Sequence, residues 1–278
     1  MKIAIQGGAA SFHDIAARKY FGKGIETVYC STFKILCEKL KNKEVDFAAM
    51  AIENSIAGSI LPNYALIQKY DFHITGEIQL RIEQNLMALP GTKIQDLKIA
   101  RSHYMALMQC EDFLAQYPHL QMEEYYDTAD SAKDIRLKEE KGIGAIASRF
   151  AAELYNLEIL GESIETNKQN FTRFIFLTTD KKYKVENATK ASLCFQLTDR
   201  VGALAEVLRT IVDNNINMTK IQSLPIIGKP NQYTFHVDCE WSNYEDFKKC
   251  IAINSLVDDL KILGEYKKGE MIYDYSRS

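Results

Sequence analysis

The chain has 278 residues, of which 46% are hydrophobic and 26% are charged, and its formal net charge is −3 at pH 7. This balance is typical of a globular protein of two domains and excludes a strongly basic nucleic-acid-binding protein. No segment approaches the roughly 18 apolar residues of a membrane span, and residues 1–5 lack the pattern of a signal peptide. We therefore expect a cytoplasmic protein with neither a nucleic-acid partner nor a membrane partner.

The cysteines and histidines give no sign of a metal site. The six cysteines include no C-x-x-C pair, and the five histidines do not cluster with them. This spacing predicts free thiols in a reducing compartment, without bound metal or a disulfide framework.

Short apolar runs alternate with longer amphipathic stretches over residues 1–180. Strands are predicted at residues 2–6, 27–29, 45–52, 73–82, 84–89, 98–101, 123–126, 143–147 and 171–179. Helices are predicted at residues 12–21, 32–41 and 149–155. Three more are predicted: one with Pro62 in its first turn, one that Ser102 caps and that runs to about residue 116, and one that follows a cap at residues 127–128. Strands that alternate with helices indicate an α/β fold with a largely parallel sheet.

Ligands of such folds bind beyond the carboxyl ends of the strands. The loops predicted there are residues 7–11, 53–59, 102–103 and 127–128. Ser11, Ser102 and Thr128 place hydroxyl groups at or near helix starts, where free backbone N–H groups favour anions. The pattern suits a carboxylate or phosphate ligand, although such residues are more often simple caps.

The order of predicted strands and helices changes after a polar segment at residues 181–188, which we interpret as a linker. The predicted elements that follow are strand 191–197, helix 201–214, strands 216–224 and 231–239, helix 243–253 and strand 258–265. This βαββαβ order indicates a ferredoxin-like unit, with a turn at residues 228–231 between its middle strands.

Several motifs resemble those of prephenate dehydratases. Residues 167–174, Asn-Lys-Gln-Asn-Phe-Thr-Arg-Phe, resemble the N-x-T-R-F motif that ends the family's catalytic domain. Residues 49–55 with Gly58 are similar to its V-P-I-E-N-S…G segment, and Ser102-His103 to its S-H-P segment. Residues 7–12 take the place of its G-P-x-G-[ST]-[FY] loop, and residues 199–204 and 217–225 resemble an ACT domain.

The resemblance implies a two-lobed, periplasmic-binding-protein-like catalytic domain over residues 1–182, followed by an ACT regulatory domain over residues 188–278. The lobes would comprise residues 1–77 with 160–182, and residues 78–159, so that residues 171–179 return to the first lobe's sheet.

It also implies the reaction. Prephenate loses water and carbon dioxide to give phenylpyruvate, on the route to phenylalanine. Aromatisation of the ring drives this elimination, so no cofactor is expected. By the resemblance, Thr172 assists the leaving hydroxyl by donating a hydrogen bond or relaying a proton.

The other site residues are also implied by the resemblance. The expected substrate-binding residues are Asn54, Ser55, Ser11, Ser102, Thr128, Arg173 and Phe174. Phe174 shares a strand face with Thr172, whereas Arg173 points to the opposite face. We interpret Glu53, His103 and Asp127 as structural, since a carboxylate would repel a dianionic substrate and His103 begins a helix.

For the ACT domain, the resemblance implies phenylalanine bound between two chains of a homodimer or homotetramer. The expected effector-binding residues are Gly202, Ala203, Leu204, Asn217, Gln222, Ser223, Leu224 and Pro225. Gln222 and Leu224 depart from the family's E-S-R-P, which leaves open a domain that only dimerises.

Two alternatives stay open. Arogenate dehydratase catalyses the same elimination on the transaminated substrate, and Tyr104 and Met105 depart from the family near the substrate. A non-catalytic amino-acid sensor also has two lobes around a cleft.

Overall fold

The computed structural model describes residues 1–197, 200–226, 228–229 and 232–273. Its strands are β1 (Lys2–Gln6), β2 (Glu26–Cys30), β3 (Phe47–Asn54), β4 (Gly58–Ser59), β5 (His73–Arg81), β6 (Asn85–Ala88), β7 (Ile99–Ser102), β8 (Gln121–Glu124), β9 (Ile143–Ala147), β10 (Glu158–Gly161), β11 (Phe171–Thr178), β12 (Lys190–Gln196), β13 (Asn217–Pro225), β14 (Tyr233–Glu240), β15 (Asp258–Tyr266) and β16 (Met271–Ile272). Its helices are α1 (Phe12–Phe21), α2 (Phe33–Lys41), α3 (Leu61–Tyr70), α4 (Tyr104–Gln109), α5 (Glu111–Leu114), α6 (Thr128–Lys138), α7 (Arg149–Tyr155), α8 (Ala203–Asp213) and α9 (Tyr244–Cys250).

Helix α1 has the bounds that the sequence predicts. The Ser11 hydroxyl caps it by accepting a hydrogen bond from the Asp14 backbone N–H over 3.3 Å. Ala10, which replaces a glycine of the resembled loop, adopts a left-handed φ of 65°. The Asp14 carboxylate supports this conformation by accepting a hydrogen bond from the Ala10 backbone N–H over 3.0 Å.

Two sheets have helices between their strands, as predicted for an α/β fold. The order of the first is β16-β5-β11-β3-β1-β2, with β4 paired to β3. Strand β11 therefore joins the sheet that contains β1 and β3, which confirms its predicted return. The order of the second sheet is β10-β6-β9-β7-β8, in which β7 is parallel to both of its neighbours.

The third sheet has the order β13-β14-β12-β15, and its neighbouring strands pair antiparallel. Helices α8 and α9 interrupt these strands in the βαββαβ sequence, so the predicted ferredoxin-like unit is confirmed. Its core contains Leu193, Phe195, Val207, Val237 and Phe247, all buried.

Parts of two sequence predictions in this unit lie outside the described residues. They are Asp199 of the ACT-like motif, and Pro230 and Asn231 of the predicted turn.

The chain divides into two compact units. The first comprises Met1–Ile60, Ile78–Phe174 and the residues from Met271 onward, and the second comprises Leu61–Glu77 and Ile175–Glu270. The first unit contains the second sheet, and the second unit contains the βαββαβ elements.

The prediction of one helix over residues 102–116 is wrong. Ser102 ends β7, and His103 caps α4 by accepting a hydrogen bond from the Met105 backbone N–H at Nδ1 over 3.2 Å. The helix is interrupted at Cys110, whose φ of −108° and ψ of 15° separate α4 from α5. Strands β4, β10 and β16 were not predicted.

Candidate functional site

A cavity of about 550 Å³ lies in the first unit. The described residues that line it are Gln6, Ser11, Phe12, His13, Ser31, Thr32, Phe33, Ala51, Asn54, Ala57, Ile60, Ile82, Gln84, His103, Met105, Ala106, Gln109, Asp127, Thr128, Thr172 and Phe174. Of the predicted site residues, the cavity brings together Ser11, Asn54, Thr128, Thr172 and Phe174.

The cavity is bounded by the starts of several helices. The N-cap residues of α1, α2, α4 and α6 all line it, namely Ser11, Thr32, His103 and Asp127. Helix starts present free N–H groups and partial positive charge, which favour anions. The described lining residues include no lysine or arginine, so an anion in this cavity would depend on backbone and neutral donors.

The Thr172 hydroxyl is held by Asn54. The Asn54 Nδ2 group donates a hydrogen bond to Thr172 Oγ1 over 3.0 Å, and both side chains are buried. Asn54 Oδ1 accepts hydrogen bonds from the backbone N–H groups of Ile56 and Ala57 over 3.0 and 2.9 Å, which fixes the orientation of the amide. Because Thr172 Oγ1 accepts from Asn54, the hydrogen of its own hydroxyl remains available to a ligand.

Asn170 and Gln109 extend this network and were missing from the predicted site. Asn54 Nδ2 also donates to Asn170 Oδ1 over 2.7 Å, and Asn170 Nδ2 donates to Gln109 Oε1 over 2.9 Å. Asn170 is fully buried, so its amide depends on these partners. Its place inside the N-x-T-R-F motif is the signal that could have identified it.

Aromatic side chains form one wall of the cavity. The ring of His13 lies 5.0 Å from that of Phe174 and 5.4 Å from that of Phe33, between ring centroids. Phe174 is almost fully buried and lies two residues after Thr172 on β11, so both face the cavity. The wall suits a flat apolar ring.

Asp127 is the acidic residue of the cavity lining. Its Oδ1 accepts hydrogen bonds from the backbone N–H groups of Ala129 and Asp130 at the start of α6, as expected for a structural cap. Burial raises the pKa of the Asp127 carboxyl to about 6. Gly7, with a φ of 88°, approaches this carboxylate so closely that a Cβ would lie 2.6 Å from Asp127 Oδ2.

Three predicted substrate-binding residues are not among the described cavity lining. The Ser55 hydroxyl donates to the Gln169 carbonyl over 2.9 Å and accepts from the Phe171 N–H over 2.9 Å. Ser102 does not cap a helix, and its hydroxyl donates a hydrogen bond to the Ile146 carbonyl over 2.6 Å. Arg173 is buried, and its neighbours Thr172 and Phe174 face the cavity instead.

The predicted effector residues lie in the second unit, at the start of α8 and along β13. Gly202 is the N-cap of α8 with a φ of 85°, followed by Ala203 and Leu204. Asn217, Gln222, Ser223, Leu224 and Pro225 belong to β13, the edge strand of its sheet. Helix α8 and strand β13 contact each other, so these two sets are neighbours.

Within the described residues, no helix has the length and apolar character needed to cross a membrane. Over the same part of the chain, no group of three His, Cys, Asp or Glu side chains is placed to hold a metal ion.

Comparison with known proteins identifies the family. The sequence model of the prephenate dehydratase family matches residues 3–182. Arogenate dehydratase 2 of Petunia hybrida is 35% identical over 96% of this chain and 71% of its own length. The bifunctional chorismate mutase/prephenate dehydratase of Aquifex aeolicus is 33% identical over 96% of this chain and 74% of its own length.

Solved structures share the fold. A protein described as GqqA, a novel type of quorum quenching acylase, has a TM-score of 0.86 and 27% identity over 97% of this chain and 98% of that chain. The prephenate dehydratase of Arthrobacter aurescens, solved with L-Phe, has a TM-score of 0.86 and 23% identity over 96% of this chain and 90% of that chain. The family match and the curated relatives together show that this chain belongs to the prephenate dehydratase family.

Proposed function

We propose that this chain converts prephenate to phenylpyruvate by eliminating water and carbon dioxide. The observation that carries the proposal is the Thr172 hydroxyl, held by Asn54 in a cavity bounded by helix starts. Family membership supports it, as does the Aquifex aeolicus relative, whose name includes prephenate dehydratase.

The chemistry requires help at the leaving hydroxyl. The bond from the ring to the ring carboxylate breaks, its electrons enter the ring, and the opposite C–O bond breaks as water forms with one added proton. Because Thr172 Oγ1 accepts from Asn54, its hydrogen points to another acceptor, and we assign that acceptor as the leaving oxygen. This hydrogen bond strengthens as negative charge develops there.

The two carboxylates of prephenate need donors that do not react. The N–H groups at the start of α1 and the hydroxyls of Ser11 and Thr128 provide such donors in the cavity. At the start of α6, Asp127 already accepts from the Ala129 and Asp130 N–H groups. Phe174 lines the cavity and is a candidate contact for the substrate ring, and excluding water around the ring strengthens each polar contact.

Arogenate is the alternative substrate, and the name of the Petunia hybrida relative favours it. It differs from prephenate by an amino group in place of the side-chain keto group. A non-catalytic sensor is the remaining alternative. It would bind such ligands without turnover.

We also propose that the βαββαβ unit is an ACT domain that binds phenylalanine and assembles two or more chains. The L-Phe complex of the Arthrobacter aurescens protein supports this proposal. The exposed edge strand β13 and the nearby start of α8 offer backbone groups to an amino acid and to a second chain.

The first experiment follows phenylpyruvate by ultraviolet absorbance with prephenate, and phenylalanine by chromatography with arogenate. We expect turnover of prephenate that falls at least 100-fold in Thr172→Val, which keeps the branched shape and removes the hydroxyl. Thr172→Ser is the matched control and should stay active. A folded wild type without turnover of either substrate would contradict the proposal.

Effector binding is tested separately. Turnover is measured with L-phenylalanine and with D-phenylalanine as a matched control, and the assembly state is measured by light scattering. Inhibition by L-phenylalanine alone would support an effector site. If neither form changes turnover, the remaining role for the βαββαβ unit is assembly of chains.

A further inference from the structure

His13 is a titratable group of the cavity that the proposed reaction does not use. It lies on α1, is 9% exposed and lines the cavity. Its ring contacts those of Phe33 and Phe174. Burial lowers the pKa of His13 to about 3, so the imidazole is neutral at physiological pH.

The hydrogen bonds of His13 determine its tautomer. The Ala51 backbone N–H donates to His13 Nε2 over 3.3 Å, so Nε2 carries no hydrogen. A neutral imidazole then carries its hydrogen on Nδ1. Among the described side chains, the buried polar atoms without a partner do not include Nδ1 of His13. Because His13 also lines the cavity, we take this nitrogen as a donor that a ligand in the cavity can reach.

His13 lies beside Phe174, where we expect one end of the substrate to bind. Thr172 and Phe174 are two residues apart on β11, which is roughly 6 to 7 Å along a strand, and His13 packs edge-on against Phe174. A ring on Phe174, with its hydroxyl at Thr172, would direct its opposite carbon towards His13. In prephenate that carbon carries the ring carboxylate and the pyruvyl group.

We propose that His13 is a neutral hydrogen-bond donor to a carboxylate of the substrate, through Nδ1, at the end of the cavity beyond Phe174. The inference rests on the proposed function and extends it to a further substrate-binding residue. A donor at Nδ1 would help to bind a dianion in a cavity whose described lining contains no lysine or arginine.

Two variants distinguish the donor role of His13 Nδ1 from the acceptor role of His13 Nε2. His13→Asn places an amide N–H near the position of Nδ1 but withdraws the acceptor from the Ala51 N–H. His13→Gln reaches the position of Nε2 and keeps that acceptor, but offers no donor at Nδ1. We expect the KM for prephenate to rise roughly 10- to 100-fold in His13→Gln, with kcat less affected, and to rise much less in His13→Asn.

Thermal unfolding should show the reverse order, with His13→Asn less stable because it removes the hydrogen bond from the Ala51 N–H to Nε2. A KM that rises in His13→Asn and not in His13→Gln, or equally in both, would assign His13 to packing and overturn the proposal. Calorimetric titration of prephenate into Thr172→Val, with and without His13→Gln, keeps the test independent of turnover. Equal dissociation constants with and without His13→Gln would overturn the donor role even if the wild type were inactive.

Discussion

Asn54 donates a hydrogen bond through Nδ2 to Oγ1 of Thr172 over 3.0 Å, and its own Oδ1 is fixed by two backbone N–H groups. The direction of the Thr172 hydroxyl hydrogen is thereby set by an amide that lies 118 residues earlier in the chain. A threonine on a strand is ordinary in sequence, and its chemistry here depends on this partner.

Asn54→Asp should therefore impair catalysis. The aspartate keeps an acceptor for the two backbone N–H groups but places an oxygen, instead of an N–H, against Thr172 Oγ1. We expect kcat to fall roughly 100-fold or more, comparable with loss of one preorganised donor, while circular dichroism shows a folded chain. Steady-state kinetics measures this effect, and a kcat within twofold of wild type would show that Asn54 does not direct Thr172.

Asp127 should make substrate binding depend on pH. Burial raises the pKa of its carboxyl to about 6, so the group gains a negative charge as pH rises through that value. The KM for a dianionic substrate should then rise severalfold between pH 5 and pH 7 in the wild type. Asp127→Asn keeps an acceptor for the helix cap and should flatten this profile. The same slope in the variant would exclude Asp127 as its origin.

The raised pKa of Asp127 should also make the stability of the folded chain depend on pH. The pKa is higher in the folded chain than the ordinary value of 3.8, so the stabilising contribution is present below the unfolded pKa and is lost as pH rises through about 6. Asp127→Asn should therefore be more stable than wild type at pH 8, by up to about 2 to 3 kcal/mol. Urea unfolding at pH 8 and at pH 5 tests this, because the difference should shrink at pH 5.

The second unit contains a buried ion pair. Lys190 Nζ lies 2.9 Å from Glu77 Oε1, and the two side chains are only 5% and 0% exposed. Lys190→Met should lower the free energy of unfolding by about 3 to 5 kcal/mol, because it removes the cation that pairs with the buried Glu77 carboxylate. The double variant Lys190→Met with Glu77→Met should recover much of this loss. A double variant as unstable as Lys190→Met would contradict the explanation.

Gly264 is required by close packing. A Cβ there would lie 2.0 Å from the Ile74 carbonyl oxygen, which belongs to backbone that cannot yield easily. Gly264→Ala should destabilise the chain by more than about 3 kcal/mol or prevent soluble expression. Gly24→Ala is the control, since a Cβ there meets nothing within 4 Å, and it should change stability by less than about 0.5 kcal/mol.

Local patterns predicted most of the elements. The apolar spacing and the Ser11 cap placed α1 correctly, and the changed order of predicted strands and helices after residue 188 identified the βαββαβ unit. The helix start near Ser102 was misplaced by one residue because Ser102 and His103 both carry acceptors, and the tertiary contact of Ser102 with the Ile146 carbonyl decides between them. Neither proline nor glycine marks the break at Cys110.

Long-range contacts limited prediction of the site. The resemblance predicted roles for Thr172 and Asn54, which both line the cavity, but the bond from Asn170 to Gln109 spans 61 residues and has no local signature. Strand β16 is similar, because its two residues are defined only by pairing with β5. His13 lies on a predicted helix, yet only the positions of Ala51 and Phe174 show that its ring faces the cavity.

The helix starts around the cavity should affect release of the product. On the proposed function, the substrate enters with two negative charges and the organic product leaves with one, since a carboxylate departs as neutral carbon dioxide. The N–H groups that held this carboxylate then face no anion, and water can solvate them. The reaction thereby weakens the enzyme's own hold on the product, so product release follows from the same arrangement that captures the substrate, while aromatisation of the ring sets the direction of the reaction.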